Sequence, residues 1–239
     1  MKTVYFDNAA TTPLDERVLE TMLPFMKNDF GNANSAHHLG QKAKVAVEDA
    51  RELVASVIGA EPSEVIFTSG GTESDNAAIK GVLALAGDKN EIVSSELEHP
   101  AVLQPVEMSK MNGFKNLFAE PIQCGTITAD AIKDKISDKT ALVSIMHVNN
   151  EIGCINHIKE IAEVCKEHQI PFHTDAVQSL GKIPANVKDL GIDLMSGSGH
   201  KIYGPKGVGI MYVRNGTRWM PWMTGGSQER RRRGGTLNV

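Results

Sequence analysis

The sequence contains no apolar run approaching the ~18 residues that a membrane-spanning helix needs. Its three cysteines are odd in number and form no C-x-x-C pair, which argues against a disulfide framework or a zinc site and favours a reducing cytoplasm. No sign of charge dominates, since 25 Lys and Arg face 29 Asp and Glu, so no basic field attracts nucleic acid or a membrane. Asp7 comes too early for a signal-peptide core.

The composition that is present, 41% hydrophobic and 23% charged among 239 residues, is that of a globular protein. Short apolar runs alternate with helical patterns, which predicts an α/β fold: a mostly parallel sheet with helices on both faces. We expect an N-terminal arm over residues 1–35 and one large α/β domain over residues 36–239. The predicted strands are 65–68, 91–94, 114–119, 141–145, 171–174, 193–195 and 207–213, and the predicted helices are 15–28, 38–58, 73–86, 101–111, 129–136 and 158–168.

A glycine-rich stretch, residues 69–76, lies where a predicted strand ends and a helix begins. Glycines let the backbone turn tightly, and the free N–H groups at a helix start attract an anion such as phosphate. The same residues also suit a plain helix cap, because Thr72 and Asp75 have the spacing of a capping box. The residues alone leave both interpretations open.

Two further polar segments follow predicted strands. His99, in segment 98–100, can lie flat on a planar cofactor, although a single histidine is more often a surface or core residue. Segment 147–151, with the sequence His-Val-Asn-Asn-Glu, follows the most apolar strand and forms either the lining of a pocket or a polar turn.

Asp175 and Lys201 carry reactive groups and also come after predicted strands. A carboxylate at the end of an apolar strand is costly unless a cation such as a protonated ring nitrogen pairs with it; the alternative for Asp175 is a turn cap. A lysine in a glycine- and serine-rich turn can bond covalently to a carbonyl carbon; the alternative for Lys201 is a solvated loop lysine. Lys206 is a rival, but it lies between Pro and Gly in an apparent turn.

One cofactor, pyridoxal 5′-phosphate, accounts for all of these segments. It needs a phosphate cradle, a planar stacking partner, donors to its phenolic oxygen, a carboxylate for its pyridinium nitrogen and a lysine. The carboxylate keeps the ring nitrogen protonated, so that the ring withdraws electrons. Each match is weak alone, but their occurrence in order, each at a strand end, predicts a site for this cofactor.

The sequence resembles the cysteine desulfurases of the NifS/IscS type, in the class V aminotransferase family of fold-type I pyridoxal-phosphate enzymes. The likeness runs along the whole chain. The matching motifs are residues 5–12, 68–76, 98–99, 146–153, 175–178, 196–207, 225–226 and 235–236.

The resemblance implies a role for each site residue. Lys201 would hold the cofactor covalently and act as the proton-transfer base, Asp175 would face the pyridinium nitrogen, and His99 would stack on the ring as a second catalytic candidate. The other residues implied to bind the cofactor are Gly71, Thr72, Ser198 and His200 at the phosphate, Asn149 and Gln178 at the phenolic oxygen, and Thr236 at the phosphate of a partner subunit. The residues implied to bind substrate are Asn8, Ala9 and Asn149.

The resemblance also implies an activity and its partners. The substrate would be L-cysteine, yielding alanine and a persulfide sulfur that a sulfur-acceptor or scaffold protein receives for iron–sulfur cluster or thio-cofactor assembly. The reach of Thr236 into a partner implies a homodimer. Selenocysteine lyase, or another enzyme of the class V aminotransferase family, is the alternative activity, and a non-catalytic module with the same fold is the alternative to an enzyme. No metal, nucleic acid or membrane is expected to bind.

The sequence departs from the family pattern in two respects. No residue matches the family's persulfide-forming cysteine or the arginine that binds the substrate carboxylate, and Cys124, Cys154 and Cys165 are interpreted as structural. Arg231 stands where the family usually has glycine, within an arginine run, residues 230–233, whose alternative role is to bind nucleic-acid phosphates. We therefore expect a truncated chain, one part of a split protein or a reduced homologue.

Overall fold

A seven-stranded sheet runs through the computed structural model, which describes residues 3–239. The strands are β1 (Val65–Thr68), β2 (Glu91–Ser94), β3 (Lys115–Phe118), β4 (Thr140–Ser144), β5 (Phe172–Asp175), β6 (Leu194–Ser198) and β7 (Gly209–Val213). Their order across the sheet is β1-β7-β6-β5-β4-β2-β3, and β7 runs in the opposite direction to the other six of these strands. The prediction of a mostly parallel sheet is confirmed.

Helices precede the first strand and lie between the strands that follow it. They are α1 (Glu16–Lys27), α2 (His38–Ile58), α3 (Gly71–Leu83), α4 (Pro100–Met108), α5 (Ala129–Lys133), α6 (Ile158–Glu167) and α7 (Val187–Leu190). α2 has the bounds that its apolar spacing predicts, and it ends at Gly59, whose φ of 72° is left-handed. α3 begins two residues before its predicted start, and the end of the predicted helix 101–111 is a 3-10 turn, Ser109–Asn112. None of the helices within residues 3–239 is long and apolar enough to cross a membrane.

Each face of the sheet has its own hydrophobic core. Because side chains alternate along a strand, Leu142 lies in one core and Val143 in the other, and the same holds for Ile92 and Val93. Helices α3 and α4 pack on the first face, whereas residues of α2, α5, α6 and α7 belong to the core on the second. This double covering explains why β4 is buried along its whole length.

The strand directions bring the polar segments of the sequence together. Strands β2, β4, β5 and β6 are parallel, and β1 shares their direction because both it and β6 are antiparallel to β7. The chain segments that leave the carboxyl ends of these strands therefore meet at one edge of the sheet.

The N-terminal segment packs against the turn that follows β6. The N–H of Thr12 donates to the carbonyl of His200 at 2.9 Å, and the N–H of Asp15 donates to the carbonyl of Tyr203 at 3.0 Å. α1 begins after this contact, where the Asp15 carboxylate caps the helix by accepting from the N–H of Arg17. Residues 1 and 2 of the predicted arm lie outside the described residues, and its boundary at residue 35 stays a prediction.

Candidate active site

A cavity of about 520 Å³, which we call the main cavity, opens beyond the carboxyl ends of the strands. Segments that follow β1, β2, β4, β5 and β6 all contribute to its wall, and the N-terminal segment contributes Asp7, Ala9 and Ala10. The predicted cofactor-binding residues on this wall are Gly71, Thr72, His99, Asp175, Gln178 and Ser198, together with His200 and Lys201. Of the predicted substrate-binding residues, Ala9 lines the cavity. The tertiary structure thus brings together most of the residues that the sequence singled out.

Residues 69–72, which we call the anion turn, join β1 to α3. Gly70 is the N-cap of α3, with a φ of 155°, and the backbone of Gly209 passes so close that a Cβ on Gly209 would lie 2.6 Å from Gly70. Within residues 3–239 no hydrogen bond takes up the N–H groups of Gly71 and Thr72. No side chain caps this end, so the predicted Thr72–Asp75 box does not form. The turn has the free donors and the helix dipole that bind an anion.

Asp175 supplies a buried carboxylate at the end of β5. The residue is 5% exposed, and one of its oxygens accepts the N–H of Val177 at 2.8 Å. Burial raises the pKa of this carboxyl, while the Val177 N–H and the charges of His99 and Lys201 oppose that rise. A carboxylate in such a place is stabilised by a cationic ligand group, and a protonated ring nitrogen is one.

His99 caps a helix and also lines the cavity. Its Nδ1 accepts the N–H of Ala101 at 3.1 Å and thereby caps α4. The same side chain lines the cavity. Because the cap fixes one ring nitrogen, the ring is held in place against the cavity.

Lys201 extends from the 3-10 turn after β6 into the cavity. Its Nζ donates to the carbonyls of Ala9 and Ala10 at 2.5 and 2.8 Å. Burial lowers the pKa of this amine, and the nearby charge of Lys182 lowers it further. A lowered pKa makes the neutral, nucleophilic amine more available. The rival Lys206 does not line this cavity.

The two adjacent asparagines after β4 have different surroundings. Asn149 does not line the cavity: its Nδ2 donates to the carbonyl of Leu97 at 2.8 Å, and its Oδ1 accepts the N–H groups of Glu151 and Ile152 at 2.8 and 3.0 Å. Asn150, which the sequence analysis did not select, lines it instead. Gln178 lines the cavity and donates from Nε2 to the carbonyl of Ala9 at 2.8 Å.

Two further predicted residues, Thr236 and Asn8, do not line the main cavity. Thr236 lines a separate cavity of about 140 Å³ with Ser69, Gly207 and Arg233, directly beside the anion turn. Asn8 does not line the main cavity, although the residues on both sides of it do.

A second buried carboxyl group, Asp75, lines the same cavity and was missed as a site residue. It is 1% exposed, its Oδ1 lies 3.6 Å from Nε2 of His173, and this oxygen has no hydrogen-bond partner within residues 3–239. Burial raises the pKa of Asp75 well above its ordinary value, and the charge of Asp175 adds to the rise. The spacing of three residues from Thr72, on the cavity-facing side of α3, is the signal that could have identified it.

The buried His173 links side chains of three neighbouring strands. Its Nδ1 lies 2.8 Å from the hydroxyl of Ser144, and its Nε2 lies 3.0 Å from the hydroxyl of Ser196. Burial lowers the pKa of His173 to about 3, so the ring is neutral at physiological pH. Neighbouring strands β4, β5 and β6 are therefore joined by side chains as well as by backbone bonds.

The cysteines lie away from the main cavity. Cys165 is buried, and burial raises its pKa; burial also raises the pKa of Cys154. Cys124 is exposed, and a hydrogen bond with Thr126 lowers its pKa. None of the three lines the cavity that holds Lys201.

Three of the four arginines in the run contact other parts of the chain. Arg230 pairs with Glu48 at 2.7 Å, Arg232 donates to the carbonyl of Ser63, and Arg233 pairs with Glu73 at 2.8 Å. These intramolecular contacts give the run a structural explanation that the sequence did not reveal.

Comparison with known proteins places this cavity in a family context. The model of the Aminotransferase class-V family matches residues 4–237. A cysteine desulfurase IscS of Dictyoglomus turgidum is 51% identical over 99% of this chain, and another of Methanosarcina thermophila is 49% identical over 100%. The chain spans about 60% of the length of these curated relatives.

Solved structures show the same likeness. A NifS-like protein superposes with a TM-score of 0.96 at 42% identity, covering 99% of this chain and 66% of its own. A structure described as SspA in complex with cysteine superposes with a TM-score of 0.95 at 43% identity, covering 98% of this chain and 69% of its own. These matches confirm the resemblance to NifS/IscS-type proteins and the predicted fold class.

Proposed function

The chain belongs to the aminotransferase class-V family, and from that premise we propose that it binds pyridoxal 5′-phosphate and acts on L-cysteine as a cysteine desulfurase. One observation carries the proposal: a single cavity holds a turn with free N–H groups, a buried carboxylate and a lysine of lowered pKa. These groups match the phosphate, the ring nitrogen and the aldehyde of this cofactor. The cysteine-bound relative supports the choice of substrate.

Each group of the cofactor has a candidate partner. The anion turn, with Thr72, Ser198 and His200, would take the phosphate, and Asp175 would pair with the ring nitrogen. His99 would lie against the ring, while Gln178 and Asn150, rather than Asn149, would reach the phenolic oxygen. When bound, the cofactor withdraws electrons from the carbon that bears the substrate amino group.

Lys201 would hold the cofactor covalently and afterwards move protons. Burial and the charge of Lys182 lower the pKa of this amine and so favour the neutral form, which can accept a proton. The carbonyls of Ala9 and Ala10 orient the amine when it carries its third proton. The N-terminal segment therefore shapes the site, and the substrate would lie beside Ala9 rather than Asn8, which does not line the cavity.

L-cysteine and a receiving thiol would react to give alanine and the persulfide of that thiol. We propose that the receiving thiol is none of Cys124, Cys154 and Cys165, because none lines the cavity. A sulfur-acceptor or scaffold protein for iron–sulfur cluster assembly is the expected recipient. We further propose a cytoplasmic homodimer, in which Thr236 would reach the phosphate bound by the partner subunit.

The test is a visible absorption spectrum of the purified chain with pyridoxal 5′-phosphate, before and after L-cysteine. We expect a yellow band that changes on adding L-cysteine, and reduction with borohydride should attach the cofactor to Lys201 in a peptide map. Lys201→Ala should abolish the band, whereas the matched control Lys206→Ala should keep it. Absence of the band from the wild-type chain, or its loss in Lys206→Ala alone, would overturn the assignment.

A further inference from the structure

Glu73 places a negative charge next to the anion turn. It lies in the first turn of α3, it is 9% exposed, and its Oε2 accepts the N–H of Ser69 at 2.8 Å. Burial favours its neutral form, but hydrogen bonds from Arg233 and Ser69 outweigh burial and lower the pKa, so the carboxylate is ionised at neutral pH. The carboxylate fixes the start of the turn, yet its charge opposes an anionic ligand bound there.

Arg233 neutralises this carboxylate from a distant part of the chain. Its Nε donates to Oε1 of Glu73 at 2.8 Å and its Nη2 donates to Oε2 at 3.1 Å, which is a two-pronged ion pair. The Arg233 side chain also lines the small cavity that holds Ser69 and Thr236. The Arg233 side chain therefore lines a different cavity from the one that Asp175 lines.

The segment that carries Arg233 is fixed by a second ion pair. Glu229 binds Arg51 of α2 at 2.7 and 2.9 Å and accepts the N–H of Phe67 at 3.0 Å. Both members are buried, with 2% of Arg51 and 5% of Glu229 exposed. The contacts of Glu229 thus anchor the segment from which Arg233 reaches Glu73.

We propose that Glu73 and Arg233 are positioning residues that set the preference of the anion turn for a phosphate group. Glu73 holds the N–H of Ser69 in place, and Arg233 cancels the charge that would otherwise repel the phosphate. This inference rests on the proposed function and deepens it, because it assigns phosphate selectivity to an ion pair outside the main cavity.

The experiment compares pyridoxal 5′-phosphate with pyridoxal, which lacks the phosphate, by absorbance titration. Arg233→Met leaves the Glu73 charge uncancelled, and we expect it to lower the preference for the phosphorylated form by roughly tenfold. Glu73→Gln keeps an acceptor for Ser69 without the charge, so the double variant should return to within about threefold of wild type. Arg230→Met is the matched control, because Arg230 pairs with Glu48 on α2 and should leave the preference unchanged.

A structural role alone predicts a different pattern. If Arg233→Met weakens both ligands equally, or if Glu73→Gln fails to restore the preference in the double variant, the inference is overturned. The same variants can be compared without the cofactor, by the increase in melting temperature that inorganic phosphate produces in each. Wild-type protein that responds to phosphate but gives no band with pyridoxal 5′-phosphate would refute the proposed function, and the Arg233→Met comparison with phosphate would still decide this inference.

Discussion

Replacement of Arg51 by Met should be among the most destabilising single changes in the chain. The Arg51 guanidinium contacts both oxygens of Glu229 at 2.7 and 2.9 Å and the carbonyl of Val65 at 2.9 Å. It also lies 4.9 Å from the ring centre of Phe67. Removing it leaves a buried carboxylate without its cation, and breaking such a pair costs about 3–5 kcal/mol. Glu229 keeps the Phe67 N–H, so we expect a loss near ~3 kcal/mol in the free energy of unfolding.

Urea unfolding followed by circular dichroism measures this loss. The double variant Arg51→Met/Glu229→Gln should recover much of it, because no unpaired charge stays buried. Arg17→Met is the control, since that guanidinium is 89% exposed in its pair with Asp15 and its removal should leave stability unchanged within error. A loss below about 1 kcal/mol for Arg51→Met, or a larger loss in the double variant, would refute this reasoning.

Three further predictions, made with four substitutions, test the site and its support. Lys182→Met removes a neighbouring positive charge and should raise the pKa of Lys201, so that the pH midpoint for covalent cofactor capture moves upward in an absorbance titration. Asn149→Ala leaves several backbone groups unpaired and should lower the free energy of unfolding in urea by about 1–3 kcal/mol. Asn150→Ala should instead weaken cofactor binding and leave the free energy of unfolding unchanged. Equal behaviour of the two variants would contradict the assignment of Asn150 to the cavity and Asn149 to the turn. Gly81→Ala places a Cβ 2.1 Å from an indole nitrogen and should lower the melting temperature and alter tryptophan fluorescence.

The N-terminal segment illustrates how a local motif gains its role from packing. Its residues 5–12 matched a family motif, but nothing in their pattern showed which atoms matter. In the folded chain the carbonyls of Ala9 and Ala10 receive the Lys201 ammonium, and the Thr11 hydroxyl lies 3.0 Å from Nδ1 of His200. The segment therefore completes the wall of the cavity that the strand ends begin.

Local patterns in the sequence were sufficient for the elements and for much of the site. α2 and β1 have their predicted bounds, because apolar periodicity and a following glycine are properties of neighbouring residues. Polar residues such as Asp175 and Lys201 could be selected because each follows an apolar strand, and parallel strands bring their carboxyl ends together. The strand-end segments together predicted the cofactor, and the family motifs added an expected role for each residue.

Only the tertiary structure decided between chemically equal neighbours and joined distant charges. Asn149 and Asn150 are the same residue type, and the turn that one of them caps determines which of them faces the cavity. Glu73 and Arg233 are 160 positions apart, and no periodicity relates them. The fold class and the strand-end clusters could therefore be predicted from the amino-acid pattern, because both depend on local periodicity. The pairing of buried charges around the anion turn was decided by long-range packing, because burial makes each charge depend on whichever partner the fold brings to it.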